Sequence, residues 1–350
     1  MKFVIYNKHY TKDELLEKED EFLGDRWILD IICTIREWES SDTDVIVRTS
    51  GSTGAPKLIS LSKKSMRASA LKTIDYFELE KGMNFHLSMP AAYIAGKMMV
   101  VRAIVGGMNL LCVPPSSTPF RDLTSTVDFA ALTPFQVQST INDTKSNFFL
   151  IKKLIIGGAP VLPYLRKQLE GLRTLCYMTY GMTETITHIA VQGLNGIDAS
   201  DYFEVIKGVN ISEEDDNLII EADYLSNFKI VTNDKVEIVD SNRFKWIGRS
   251  DFVINSGGIK LHPETIEGKL SDFINDPYVI LSQVHETLGQ CAILLIAGSR
   301  YSDQVLERLN SNMKIALDRY EIPKKTYFVK ELKTTSTGKV KRDVKLYDLD

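Results

Sequence analysis

The chain has 350 residues, 44% hydrophobic and 25% charged, with a formal net charge of -4; this describes an ordinary folded protein long enough for two domains, and it excludes bulk attraction to nucleic acid or an anionic membrane. Cys33, Cys112, Cys176 and Cys291 stand far apart with no CxxC spacing, so neither a zinc site nor a disulfide framework is indicated. The amino terminus lacks the apolar segment of a secretion signal and no run reaches the ~18 apolar residues of a membrane span, so a cytoplasmic location is expected.

In chain order, Thr11 can cap a helix whose first turn holds Asp13 and Glu14, acids that suit the helix dipole. A second helix is predicted over 26–38, because Trp27, Ile28, Ile31, Ile32, Ile35 and Trp38 recur at three- and four-residue steps and give one buried face. Val45-Ile46-Val47 reads as a strand feeding Thr49-Ser50-Gly51-Ser52-Thr53-Gly54-Ala55-Pro56-Lys57, with 58–62 a second strand. Glycine permits close backbone approach, hydroxyls and free N–H groups can surround phosphate oxygens, and Lys57 adds charge, so the loop suits a polyphosphate. An ordinary turn has a similar composition, and the spacing is not the Walker pattern.

Residues 62–77 read as a helix capped by Ser62, and 85–90 as a strand. In the apolar stretch that follows, Tyr93 and Lys97 lie four apart, on one face if the helix has begun. A lysine there needs a partner; a carboxylate ligand would supply one, and snorkelling to solvent is the alternative. Strands at 109–113, 129–134 and 153–156 alternate with helices as in a doubly wound α/β domain. The third ends in Gly157-Gly158-Ala159-Pro160, bare backbone for a flat ring at the carboxyl end of a strand, where ligands of such sheets gather.

The strand 175–179 runs into Tyr180-Gly181-Met182-Thr183-Glu184-Thr185. That order offers a stacking ring, close backbone approach, hydroxyls and one carboxylate able to ligate magnesium, although Glu184 alone reads as an acid at a helix start. From 202 onward, short alternating segments at 218–221, 229–234, 236–239 and 244–247 read as a small antiparallel sheet or barrel appended to the core. After Gly248-Arg249-Ser250-Asp251 come a strand, a turn at Ser256-Gly257-Gly258, a second strand and a helix. The tail Ser336-Thr337-Gly338-Lys339-Val340-Lys341-Arg342 reads by itself as a solvated basic loop.

Together, and in this order, residues 49–57, 180–185, 248–251 and Gly338-Lys339 resemble the adenylate-forming superfamily of acyl-CoA synthetases, aryl-CoA ligases and peptide-synthetase adenylation domains, over 45–342. The resemblance implies a large, shortened amino-terminal α/β domain with a small appended β region over 1–250, and a small mobile α+β domain over 251–350, with a hinge near Asp251. It also implies the reaction: a carboxylate attacks the α-phosphate of Mg-ATP, and coenzyme A then displaces AMP from the acyl-adenylate.

Carried over residue by residue, Thr49, Ser50, Gly51, Ser52, Thr53, Gly54 and Lys57 would hold the β- and γ-phosphates. Gly158, Ala159 and Pro160 would line the adenine, on which Tyr180 stacks, with Gly181 and Met182 beside it. Thr183 would meet the α-phosphate, Glu184 the magnesium, and Asp234 and Arg249 the ribose. Lys339 would touch the carboxylate and α-phosphate, where negative charge grows. Tyr93, Lys97 and Gly157 fall at the acyl pocket, and Ser256, Gly257 and Gly258 at the coenzyme A face. A rotation at Asp251 would exchange that face for the lysine, since the first step wants a cation and the second a clear path for the thiol.

Within the superfamily, Leu132-Thr133-Pro134-Phe135-Gln136-Val137-Gln138 and the Tyr93/Gly96/Lys97 region are most similar to the o-succinylbenzoate–CoA ligase family of menaquinone synthesis. Tyr93 stands where many relatives have histidine, and Thr232-Asn233-Asp234 replaces the more usual Thr-Gly-Asp. The glycine loop arrives far earlier than in relatives, so the acyl pocket is expected to be more open, or completed by a second copy in a homodimer. A ligase for another aryl or short acyl acid, one loading a carrier protein, and a non-catalytic nucleotide-binding remnant are the alternatives. The presence of Lys339, Glu184, Thr183 and Asp234 together argues against a remnant.

Overall fold

The structure, a computed structural model, describes residues 1–48, 58–215, 217–225, 227–335 and 339–349. Thr49, Ser50, Gly51, Ser52, Thr53, Gly54, Lys57 and Gly338 lie outside the described residues.

The chain opens with a hairpin of β1 (Phe3–Ile5) and β2 (Lys8–Tyr10) over Tyr6 and Asn7, whose φ of 51° and 62° match the two-residue turn that strand twist favours. Tyrosine is unusual at such a position. It is held there by donating to Asp25 Oδ1 (2.8 Å) and by an edge-on contact with Trp27. α1 (Lys12–Glu17) begins with a reciprocal capping box between Thr11 and Glu14, and α2 (Arg26–Glu39) buries Ile28, Ile31, Ile32, Ile35 and Trp38, the face its periodicity predicts. β3 (Asp44–Arg48) and β4 (Leu58–Ser62) pair antiparallel as the expected strand, loop and strand, and Ser62 caps α3 (Lys63–Tyr76) by accepting from Ser65 N.

β5 (Asn84–Leu87), α4 (Ile94–Gly106), β6 (Asn109–Cys112), β7 (Val127–Leu132), α5 (Pro134–Asn142), β8 (Ile151–Ile156), α6 (Pro163–Leu169) and β9 (Leu175–Gly181) build the doubly wound core. Its parallel order is β1-β6-β5-β7-β8-β9. Met98, Met99, Val100, Val101 and Ala103 of α4 are all fully buried, because the helix lies between its neighbours α2 and α3 and the sheet.

The sheet does not stop at β9. β10 (His188–Gly193), β11 (Phe203–Val205), β12 (Asn210–Glu214), β13 (Asn217–Glu221), β14 (Lys229–Asp240) and β15 (Arg243–Arg249) extend it, by antiparallel pairing, to thirteen strands among the described residues. The short segments beyond 202 are therefore continuous with the core, not a separate sheet or barrel. β14 alternates exposed and buried residues, as an antiparallel strand with one open face does, whereas Leu218, Ile219 and Ile220 of β13 are all buried. A second sheet holds β16 (Ile254–Ser256), β17 (Ile259–Leu261), β18 (Tyr278–His285), β19 (Gly289–Ala297) and β20 (Thr326–Val329). With α7 (Pro263–Leu270) and α8 (Asp303–Ala316) it encloses its own core around Ile254, Ile266, Ile280 and Leu294. The change of sheet lies between Arg249 and Ile254. Among the described residues no helix is long and apolar enough to cross a membrane.

Candidate functional site

The parallel strands β5, β7, β8 and β9 deliver their carboxyl ends to one edge of the sheet. Gly157 N–H, just past β8, donates to Leu132 O at the end of β7 (3.1 Å), and a Cβ on Gly157 would stand 2.6 Å from Thr179 Oγ1 of β9. A side chain there would have to displace the Thr179 hydroxyl. Gly158 takes a φ of 85° and is exposed with Pro160, and Ala159 is half-buried, so bare backbone does lie at the strand end. Thr133 and Gln136 form a second capping box, and Gln136 Nε2 donates to Ser88 O (3.4 Å) and Ser116 O (3.0 Å), tying α5 to the end of β5.

One pair of residues distant in sequence meets beside this edge. The Tyr180 hydroxyl donates to Asp234 Oδ2 (2.7 Å) and Trp246 Nε1 donates to Oδ1 (3.1 Å), while Arg249 Nη1 lies 3.6 Å from the same Oδ1. Asp234 is 5% exposed, and its backbone N–H donates to Thr232 Oγ1 (3.1 Å). Burial, then the charge and hydrogen bond of Asp234, push the Tyr180 phenol far above its ordinary range, so it stays a donor. Edge contacts with Phe203 and Phe244 hold its ring. Trp246 was not singled out by the sequence; its place opposite Val236 in the β14–β15 register is what turns it toward Asp234.

Lys339, far along the chain, is half-buried. Burial and the repulsion of Arg249 lower its ammonium below the usual lysine range, and Asp234 opposes them, so it lies within electrostatic reach of both. Arg249 also donates to Asp251 Oδ2 through Nη2 (2.6 Å) and Nε (3.2 Å), and Asn233 Nδ2 donates to Asp251 Oδ1 (3.3 Å). The asparagine that replaces glycine before Asp234 thus adds a bond to Asp251. Ser256, Gly257 and Gly258 form the tight turn between β16 and β17, with φ of 61° and 89° at the glycines; Gly257 N donates to Leu288 O, and the turn's recorded contacts are within the small sheet.

Met182, Thr183 and Glu184 occupy a turn, not a helix start, between antiparallel β9 and β10. Thr185 shapes it: its hydroxyl accepts from Met182 N (2.9 Å) and donates toward Met182 O and Thr187 O. Ile186 adopts a φ of 69° while fully buried, a costly conformation for a β-branched residue that only the surrounding packing can hold. No sequence signal marks it. Gly181 closes the turn so tightly that a Cβ would stand 2.3 Å from Thr187 O. Glu184 is exposed and makes no hydrogen bond or ion pair recorded among the described residues.

The two cations of α4 differ. Lys97 is 5% exposed and neither snorkels nor stands free: Glu37 of α2 pairs with its ammonium, which also donates to Thr34 Oγ1 (3.3 Å). Arg102, which no sequence motif marks, is 2% exposed; its Nε donates to Thr73 Oγ1 (3.2 Å) and its Nη1 to the Met99 sulfur (3.6 Å). No carboxylate pairs with it among the described residues, and burial lowers it to about 10. It neighbours His188, which burial first and Arg102 second hold well below the ordinary histidine range, and His188 pairs across the sheet with Gly181. Tyr93, at the cap of α4, is half exposed.

Residues 2–217 match the family described as AMP-binding enzyme. The chain is 30% identical to an acyl-CoA synthetase (AMP-forming)/AMP-acid ligase II-like protein from Dyadobacter fermentans, whose solved structure it matches with a TM-score of 0.65 over 95% of this chain and 96% of that one. It is 26% identical to the 2-succinylbenzoate–CoA ligase of Staphylococcus epidermidis, over 87% of this chain and 70% of that protein. The o-succinylbenzoate coenzyme A synthetase of Bacillus subtilis, solved with ATP and magnesium ion, shares the fold: TM-score 0.68, 16% identity, 86% of this chain and 70% of that one.

Proposed function

Since the chain belongs to the family of AMP-binding enzymes, we propose that it is an AMP-forming acid–thiol ligase that converts o-succinylbenzoate to its coenzyme A thioester in menaquinone biosynthesis. The observation that carries this reading is the buried Asp234, joined to Tyr180 and Arg249 beside the strand ends and within the field of Lys339. Nucleotide-binding needs the first three; a lysine brought from the last few residues of the chain has no such need unless charge develops there.

In this reading the ribose hydroxyls bond to Asp234 and Arg249, the adenine lies between the Gly158-Ala159-Pro160 backbone and Tyr180, with Gly181 and Met182 beside it, and Thr183 meets the α-phosphate. Thr49, Ser50, Gly51, Ser52, Thr53, Gly54 and Lys57 would cradle the distal phosphates. Glu184, an exposed single carboxylate, suits a magnesium ion otherwise held by phosphate oxygens and water, and that ion would neutralise phosphate charge. Lys339 draws the acyl carboxylate onto the α-phosphate and stabilises the charge that grows there. Ser256, Gly257 and Gly258 would face the thiol once the small domain, residues 251–350, turns about Asp251.

For the acid, Tyr93, half exposed at the cap of α4, and Gly157, just past β8, are the residues that would line its pocket. Lys97 is matched by Glu37, so a second carboxylate of the acid would have to displace Glu37 to reach its ammonium. Lys97→Met is expected to raise the KM for o-succinylbenzoate tenfold or more, about 1.4 kcal/mol, with the KM for ATP unchanged; parallel changes in both would remove it from the acid pocket. The reading as a whole is tested by AMP release on o-succinylbenzoate, with and without coenzyme A. Turnover of benzoate or fatty acids with none of o-succinylbenzoate would overturn the substrate assignment, and ATP binding without pyrophosphate exchange for any acid would overturn the ligase.

A further inference from the structure

The small sheet leans on the large one through α7. Thr265 Oγ1 donates to Ile247 O of β15 (3.3 Å), and the preceding residue, Glu264, sets its carboxyl against Gly248, so close that a Cβ on that glycine would stand 2.6 Å from Oε2. On its other side lies the tail: Arg342, three residues beyond Lys339, brings Nε to 3.6 Å from Glu264 Oε1. Arg342 has already committed its fork. Nη1 and Nη2 donate to Glu267 Oε1 and Oε2 (2.7 and 2.8 Å), and Nη1 also donates to Ile280 O (3.0 Å).

Glu264 is therefore left with a long contact to Arg342 and a hydrogen bond from its own backbone N–H. Its side chain is 8% exposed, and Oε2 is buried with no hydrogen bond among the described residues. An ionised oxygen in such a place carries a large desolvation cost, whereas a neutral acid is tolerated. The charged groups that face it are Arg342 from the tail, Glu267 from its own helix and Arg249 from β15. Burial, the largest influence, raises the acid to about 7; Arg342 pulls it down, Glu267 pushes it up and Arg249 adds a small downward pull.

We propose that Glu264 is a positioning residue for acyl-adenylate formation: as a neutral carboxylic acid it seats α7 on Gly248, and with it the Arg342 tail that presents Lys339 to Asp234. Ionisation loosens that seat. Because the acid is raised in the folded protein, its contribution is complete below the ordinary carboxylate range and is lost as pH rises through about 7. The inference rests on the ligase reading for its catalytic consequence, but not for the seat itself.

The test compares the full-length protein with Glu264→Gln, a neutral isostere, between about pH 6 and about pH 8.5, reading both o-succinylbenzoate-dependent ATP–pyrophosphate exchange and Tm. The variant-to-native ratio of exchange is expected to rise about tenfold across that range, and the native Tm to fall below that of the variant above neutrality. A ratio that stays flat, or a variant already inactive at the acid end, would overturn the proposal. Absence of exchange in the native protein together with the Tm crossing would keep the seat and sink the o-succinylbenzoate assignment, and the ligase reading too if no other acid supports exchange. Robust exchange with parallel pH profiles would do the reverse.

Discussion

Asp234 satisfies two donors with opposite oxygens, Tyr180 through Oδ2 and Trp246 through Oδ1, and it does so where water is excluded. Removing the carboxylate strands both donors, and a buried donor without a partner costs about 1–3 kcal/mol. Asp234→Leu is therefore expected to lower stability by at least that amount in urea denaturation, and Tyr180→Phe by less, since it removes a donor with its own demand. A double-mutant cycle of the two should show coupling above about 0.5 kcal/mol; strict additivity would mean that the 2.7 Å contact is not a working hydrogen bond. The same geometry explains why Asp234 and Tyr180 were legible in the sequence and Trp246 was not. The first two sit in recurrent motifs, whereas the indole is aimed by a register shift of the β14–β15 pair between Lys235 and Val236.

At the scale of elements, close approach decides which positions tolerate a side chain. α4 begins so near the end of β5 that a Cβ on Gly96 would stand 2.3 Å from Pro90 O, a backbone atom that cannot swing away. Gly157 instead faces the Thr179 hydroxyl at 2.6 Å, a side-chain atom with some freedom. Gly96→Ala is accordingly expected to cost more than Gly157→Ala, about 1–3 kcal/mol as for overpacking in a dense core, in thermal or chemical unfolding. Equal small losses would show that the turn before α4 relaxes freely. The helices and parallel strands of this layer were read from periodicity because their burial is one-sided or complete along the element. The β1–β2 hairpin escaped that reading because Tyr6 takes a turn conformation its residue type disfavours, held by Asp25 and Trp27. The turn of 182–187 escaped it too, since its shape comes from Thr185 and from Ile186 at positive φ.

For the whole molecule, the proposed reaction would draw Asp234 and Arg249 from the large sheet and Lys339 from the tail beyond the small sheet, so its two half-steps should be separable by substitution. Lys339→Ala is expected to abolish acyl-adenylate formation yet leave thiol attack on pre-made acyl-adenylate largely intact, measured as ATP–pyrophosphate exchange against thioester release. Equal loss of both half-reactions would remove Lys339 from that role. The tail that carries the lysine is anchored by the Arg342–Glu267 pair, buried and bidentate. Such a pair contributes chiefly by fixing geometry, because its Coulomb attraction is offset by desolvation.

The amino-acid sequence by itself determined the doubly wound core, the order of the strands' glycine-rich ends, and the set of residue types that suit a nucleotide. These are local properties: side-chain period, turn chemistry, and the pairing of hydroxyl, glycine and carboxylate within a few residues. Only the tertiary structure decided that β10 to β15 continue the main sheet, that Lys97 pairs with Glu37, and that, among the described residues, Arg102 has no carboxylate partner and Glu264 meets Gly248 without a hydrogen-bond partner for Oε2. Each depends on residues far apart in the chain being brought within a few ångströms, and desolvation and charge pairing take their value from that approach, not from the spacing along the sequence.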